Sequence, residues 1–142
     1  MKRVVITINR QYGSGGKTIG YMLAEKLGIP CYSREILQRA SEESGINESM
    51  FNERDERLKR LPKFLLSTNV YSGELLPPES KEFTSDQNLF NYEAEVIKKY
   101  AAEGSCVLIG RCADFVLKDD PDMISVYVHA DHEFQMKSAL ER

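Results

Sequence analysis

The stretch that most restricts the fold is Gly13-Ser14-Gly15-Gly16-Lys17-Thr18, a glycine-rich loop set between a strand-like run and a helix-like run. Arg3-Val4-Val5-Ile6-Thr7-Ile8-Asn9 carries three successive β-branched aliphatics, the pattern of a central parallel strand buried on both faces. After the loop, Ile19, Met22, Leu23 and Leu27 recur at helical spacing until Gly28, a C-terminal cap, followed by Pro30. Glycines let successive backbone N–H groups turn toward one point, and the helix N-terminus adds partial positive charge. A multiply charged anion, such as a phosphorylated ligand, suits that arrangement. In the GxxxxGK[ST] pattern of a P-loop, the lysine reaches the β- and γ-phosphates and the hydroxyl ligates Mg²⁺, which assigns these roles to Lys17 and Thr18. The first glycine of that pattern falls on Gln11. A Gly-rich turn with an ordinary helix-start lysine is the plainer alternative.

Beyond the loop, Pro30 to Tyr32 reads as a short strand. Ser33 can cap a helix from Arg34 to Ser44 with Ile36, Leu37 and Ala40 inward and Gly45 as its stop. Asn47 opens a charged helix to about Arg60, in which Glu53/Arg57, Asp55/Lys59 and Glu56/Arg60 stand in the favourable i,i+4 order; it reads as a solvated helix or flap. Pro62 to Phe83, with Gly73 and Pro77-Pro78, reads as an irregular connection. Thr84 with Gln87 suggests a capping box for a long helix whose face is Leu89, Tyr92, Val96, Ile97 and Tyr100 and which ends at Gly104. Two strands follow, Cys106–Ile109 and Ile124–Val128, and Asp131 can cap a final helix. This alternation predicts a parallel sheet wrapped by helices, in a single domain spanning 1–142.

Composition narrows the function classes. A chain of 142 residues with 42% hydrophobic and 29% charged residues fits one globular core, and its net charge of −3 gives no general attraction for nucleic acid. No run of about 18 apolar residues and no signal-peptide pattern is present, so a cytoplasmic protein without membrane contact is expected. Cys31, Cys106 and Cys112 form no CxxC, and His129 and His132 lie far from them in sequence; reduced thiols without a zinc site are expected.

Three stretches, Arg10-Gln11-Tyr12-Gly13-Ser14-Gly15-Gly16, Ser33 to Ala40, and Val107-Leu108-Ile109-Gly110-Arg111-Cys112-Ala113-Asp114, resemble the cytidylate-kinase-like branch of the P-loop nucleoside monophosphate kinases. The resemblance implies a three-layer P-loop fold with a helical acceptor-binding segment, about residues 34–103, inserted in the core. It implies ATP and Mg²⁺ as cofactors, held by the loop from Tyr12 through Gly13, Ser14, Gly15 and Gly16 to Lys17 and Thr18. Acceptor contacts fall on Ser33, Arg34, Arg39, Arg111 and Asp114, with Lys17 and Arg111 closest to the transfer. Ser33 stands where the family carries an aspartate, and Gly110 and Cys112 occupy places of other family carboxylates.

The expected reaction is phosphoryl transfer from ATP to a nucleoside monophosphate. Two alternatives stand beside it: a non-catalytic nucleotide-binding module, and a P-loop kinase for another small acceptor. Family members continue through an arginine-bearing lid, whereas the helix carrying Phe134, Met136 and Leu140 runs to the end of this sequence, so a truncated fold with weak turnover and self-association to cover apolar side chains are expected.

Overall fold

The computed structural model describes residues 2–11, 13–59 and 74–140. Tyr12, most of the irregular connection and the last two residues lie outside them. The fold is α/β, and its chain divides into two compact units, residues 1–33 with 97–142 and residues 34–96.

The first unit is built on a four-stranded, all-parallel sheet: β1 (Val5–Arg10), β2 (Cys31–Tyr32), β3 (Cys106–Ile109) and β4 (Met123–Val128), in the order β2-β3-β1-β4. The register sets Ile8 beside Ile109 and Arg10 beside Val128. Central β1 and β3 are the apolar runs that the sequence marks, and Val5, Ile8, Val107 and Leu108 are almost wholly buried. Such burial on both faces is what a continuous β-branched run satisfies and an alternating one would not.

Helix α1 (Gly16–Leu27) ends on Gly28, whose left-handed φ of 67° closes it with N–H bonds to the Ala24 and Glu25 carbonyls. Of the large apolar residues that mark this helix, Leu23 packs half-buried against the core, but the others do not form the buried face. Ile19, Met22 and Leu27 are exposed, and the buried line is Gly16, Gly20 and Ala24. Small residues every fourth position let the helix lie close to the sheet: a Cβ on Gly20 would stand 2.8 Å from Ile109 Cδ1 and 3.1 Å from Ile8 Cδ1.

Elsewhere in this unit, Arg3 anchors the entry to the sheet. Its guanidinium is bidentate on Asp120 (Nη2–Oδ2 2.6 Å, Nη1–Oδ1 3.1 Å), reaches Asp122 Oδ2 at 3.0 Å, and donates from Nε to the Ala101 carbonyl. Tyr32 and Tyr100 stack with ring centroids 3.7 Å apart.

The second unit holds α2 (Arg34–Ser44), α3 (Glu48–Lys59) and the first part of α4 (Asp86–Glu103), whose residues from Ile97 belong to the first unit. Ile36, Leu37 and Ala40 are buried, as the amphipathic spacing of α2 predicts. Asn47 caps α3, its Oδ1 accepting from the Ser49 amide at 2.8 Å. Helix α3 is no mere solvated flap, however. Phe51 is fully buried, and the Arg54 side chain, 6% exposed, pairs with Glu93, 2% exposed, at 3.5 Å while donating to the Asp86 carbonyl at 3.0 Å. A charge run in sequence conceals this inner face because the buried Arg54 is balanced by a carboxylate almost forty residues away. The side chains of the i,i+4 cations Arg57, Lys59 and Arg60 lie outside the described residues.

The cap of α4 falls one residue beyond the expected box. Ser85 Oγ, rather than Thr84, accepts from the Asn88 amide at 3.2 Å, and the Ser85 carbonyl takes the first helical bond from Leu89. Asn88 is committed elsewhere, its Oδ1 accepting from Leu76 N and its Nδ2 donating to Phe83 O.

Candidate functional site

In a parallel sheet all strands deliver their C-terminal ends to one edge, which is where open α/β sheets bind ligands. Here that edge receives the glycine loop after β1, Ser33 after β2, and the turn Gly110-Arg111-Cys112 after β3. The predicted site residues Gly13, Ser14, Gly15, Gly16, Lys17, Thr18, Ser33, Arg111 and Asp114 therefore all leave the sheet on one side. Arg34 and Arg39 belong to the other unit.

The loop is locked by short-range bonds. Ser14 N donates to the Gln11 carbonyl at 3.1 Å, and Ser14 Oγ accepts from Gly16 N at 3.3 Å. Gly13 and Gly15 take left-handed φ values of 77° and 83°, a conformation that costs an ordinary L-residue about 1–2 kcal/mol. Gly15 is the N-cap of α1, and the first helical bond runs from Ile19 N to Gly15 O. The amides of Lys17 and Thr18 thus lie in the first turn, ahead of any intrahelical partner, and both side chains are exposed.

Gln11, where the P-loop pattern has its first glycine, serves as a tether. Its Oε1 accepts from the Ala130 amide at 3.3 Å and from Gln135 Nε2, which also donates to the Ala130 carbonyl at 2.6 Å. These bonds tie the loop to helix α6 (His132–Leu140), which Asp131 caps through Phe134 N at 2.8 Å. Gly13 meets the same helix: a Cβ there would stand 2.5 Å from the Gln135 carbonyl oxygen.

The turn after β3 holds three successive left-handed residues, Gly110 (φ 73°), Arg111 (59°) and Cys112 (57°). Gly110 N continues the ladder to the Ile8 carbonyl, and Cys112 is the N-cap of the short helix α5 (Ala113–Val116), which contains Asp114. Two non-glycine residues held at positive φ represent strain stored at the C-terminal edge of the sheet. Arg111 and Asp114 are half-buried, and Cys112 is exposed. Cys106, by contrast, is buried at the start of β3, and burial pushes its thiol up to about 11.

The sequence pattern gives Arg10 no role, yet the structure sets it between these two pieces. Its stem crosses Gly16, where a Cβ would stand 2.6 Å from Arg10 Cβ and 3.1 Å from its Cδ. Its Nη1 reaches 3.0 Å from the place of a Cβ on Gly110. Two glycines on different elements thereby hold open the volume of one arginine.

In the second unit Arg39 Nε donates to Glu43 Oε1 at 3.1 Å, one helical turn on, and the exposed Arg34 lies 3.6 Å from Glu48. No group of three or more His, Cys, Asp or Glu that could hold a metal occurs among the described residues. Among them, too, no helix is long and apolar enough to cross a membrane.

A family profile described as cytidylate kinase-like matches residues 5–142. The chain belongs to the cytidylate kinase-like family. No curated protein matches it. Among solved structures, this family member is similar to the crystal structure of an uncharacterized protein from Eubacterium ventriosum ATCC 27560, with 26% identity and a TM-score of 0.62 over 99% of this chain. The chain spans 62% of the length of that protein.

Proposed function

We propose that this cytidylate kinase-like chain is a P-loop kinase of three-layer α/β type that transfers the γ-phosphoryl of MgATP to a nucleoside monophosphate. The observation that carries this reading is the left-handed glycine loop opening α1 at the C-terminal edge of an all-parallel sheet, beside the strained turn that bears Arg111. The loop amides and Lys17 hold the donor's β- and γ-phosphates, with the α1 N-terminus contributing its partial positive charge. Arg111 holds the acceptor phosphate, whose oxygen attacks the γ-phosphorus in line. The bond to the β,γ-bridging oxygen breaks, and ADP leaves with that oxygen.

Mg²⁺ supplies charge neutralisation on the phosphates. The exposed Thr18 hydroxyl, in the first turn of α1, is the group that would hold Mg²⁺ beside the phosphates. Positioning and electrostatics carry the reaction, so no side-chain nucleophile is needed.

The test is calorimetric titration with MgATP and MgADP, followed by incubation with γ-labelled ATP and each nucleoside monophosphate. Label appearing in a nucleoside diphosphate is the expected result. Binding without transfer to any acceptor would favour the non-catalytic module, and absence of nucleotide binding would remove the P-loop reading altogether.

A further inference from the structure

We infer that Gln11 and Gln135 are positioning residues of the donor-phosphate site: the pair clamps the glycine loop to α6, so that phosphate binding in the loop and the order of α6 are coupled. The inference rests on the nucleotide-binding reading above. Gln11 stands immediately after β1. Its amide donates to the Val128 carbonyl at 3.0 Å and its carbonyl accepts from Ser14 N at 3.1 Å, which fixes its backbone between the sheet and the loop. The side chain then leaves for α6. Its Oε1 accepts from the Ala130 amide and from Gln135 Nε2, and that same Nε2 donates to the Ala130 carbonyl. An amide N–H can only donate and a carbonyl can only accept, so Ala130 fixes which end of each glutamine faces it. The P-loop pattern has glycine at this first position, and a glycine has no side chain to reach α6.

Gln135 is also the residue that Gly13 approaches. A Cβ on Gly13 would meet the Gln135 carbonyl oxygen, Cα and carbonyl carbon at 2.5, 3.1 and 3.2 Å, all backbone atoms that no rotamer change can move aside. One residue of α6 thus holds the loop twice, by its side chain at Gln11 and by its backbone at Gly13. The rest of α6 is held weakly. Phe134, Met136 and Leu140 are half or more exposed, and among the described side chains of the helix Gln135 alone is half-buried. Apolar burial therefore contributes little to docking this helix, and the loop supplies its attachment. An element attached at one place shares the order of that place. A multiply charged anion that fixes the loop also holds α6, and by linkage a docked α6 raises the loop's affinity by the same factor. Both glutamines are neutral, so their effect on anion affinity comes through the loop's geometry and not through charge.

The experiment titrates wild type, Gln11→Met, Gln135→Met and the double variant with MgATP and with inorganic tripolyphosphate. It also measures the thermal midpoint of each unliganded protein, and amide exchange across residues 132–140 of wild type with and without tripolyphosphate. Methionine keeps the length and neutrality of glutamine and removes its hydrogen bonds. Each single variant is expected to bind both ligands about five-fold more weakly, with a midpoint near that of wild type. The double variant is expected to lose about the same five-fold, because the second change removes a bond already broken, whereas independent residues would multiply to about 25-fold. In wild type, tripolyphosphate is expected to slow exchange in α6 by about five-fold. Affinities equal to wild type in both single variants, losses that multiply, or losses only in step with a lowered midpoint overturn the inference. If a variant fails to fold, the wild-type exchange decides, and α6 exchange left unchanged by a ligand that binds overturns the inference. Wild type that binds neither ligand overturns the nucleotide-binding reading and this inference together, whereas a wild type that binds while α6 stays indifferent overturns this inference alone.

Discussion

Gly13 and Gln135 meet backbone to side-chain-free backbone: the space a Cβ on Gly13 would take lies 2.5 Å from the Gln135 carbonyl oxygen. The glycine loop is therefore packed against α6, and Gly13 is required twice over, by its φ of 77° and by this approach. Gly13→Ala is expected to force either the loop or the helix to move. MgATP affinity should fall by about ten-fold, and amide exchange across residues 132–140 should quicken as α6 loosens. Unchanged affinity together with unchanged exchange would contradict the packing.

The proposed donor-phosphate role of Lys17 rests on its charge at the start of α1. Lys17→Ala should weaken triphosphate binding by about 2 kcal/mol, and diphosphate binding by less, since the lysine is assigned to the β- and γ-phosphates. Equal affinity for ATP in the variant and wild type would end the P-loop assignment.

The strand, loop and helix that create the site were legible because each is a local signal: a β-branched run, clustered glycines, and a period ended by Gly28. What the helical period did not disclose is which face of α1 is buried. Ile19, Met22 and Leu27 are exposed, Leu23 is half-buried, and the sheet packs on the small residues Gly16, Gly20 and Ala24. The roles of Gln11 and Arg10 were hidden for a different reason. Both depend on partners distant in sequence, Ala130 and Gln135 for one, Gly110 for the other, and no local pattern encodes a long-range neighbour. The buried Arg54–Glu93 pair is of the same kind, because the charge pattern of α3 alone does not encode a partner on α4.

Arg111 stands at φ 59°, in a turn that presents it directly after β3. If its fork grips the acceptor phosphate, Arg111→Lys should raise the acceptor KM by about ten-fold with little change in the KM for ATP, because lysine retains charge and loses the paired geometry. Steady-state kinetics with each substrate varied in turn will read this split. A parallel loss for both substrates would assign Arg111 to the turn's conformation instead.

The close approach of α1 to the sheet predicts a graded response at Gly20. Alanine gains about 1 kcal/mol of helix propensity but must displace the flexible Ile109 Cδ1, so Gly20→Ala should be nearly neutral. Gly20→Val adds branches where Ile8 Cδ1 also lies, and should cost about 2–3 kcal/mol by urea unfolding. A valine variant as stable as wild type would mean that the helix stands farther from β1 and β3.

Arg3 and Asp120 make the fold sensitive to acid. The hydrogen-bonded Arg3 guanidinium holds the Asp120 carboxyl below its ordinary range, against the opposing effect of burial, and Asp120 in turn raises the already high pKa of Arg3. A carboxyl lowered in the folded state contributes stability that is fully present above its unfolded pKa of about 3.9 and is lost as pH falls through the folded value. Arg3 stays ionised throughout, so Asp120 sets the pH dependence. Arg3→Met should therefore be less stable than wild type at pH 7, by about 1 kcal/mol once the partial exposure of the cluster is taken into account. That gap should narrow below about pH 4, as Asp120 becomes protonated and wild type loses its ion pair with Arg3, which the variant does not have to lose. Denaturant unfolding of both proteins from pH 7 to pH 3 measures the gap directly, and a gap that stayed constant across that range would show that Arg3 contributes through its packing and its bond to the Ala101 carbonyl rather than through the carboxylates.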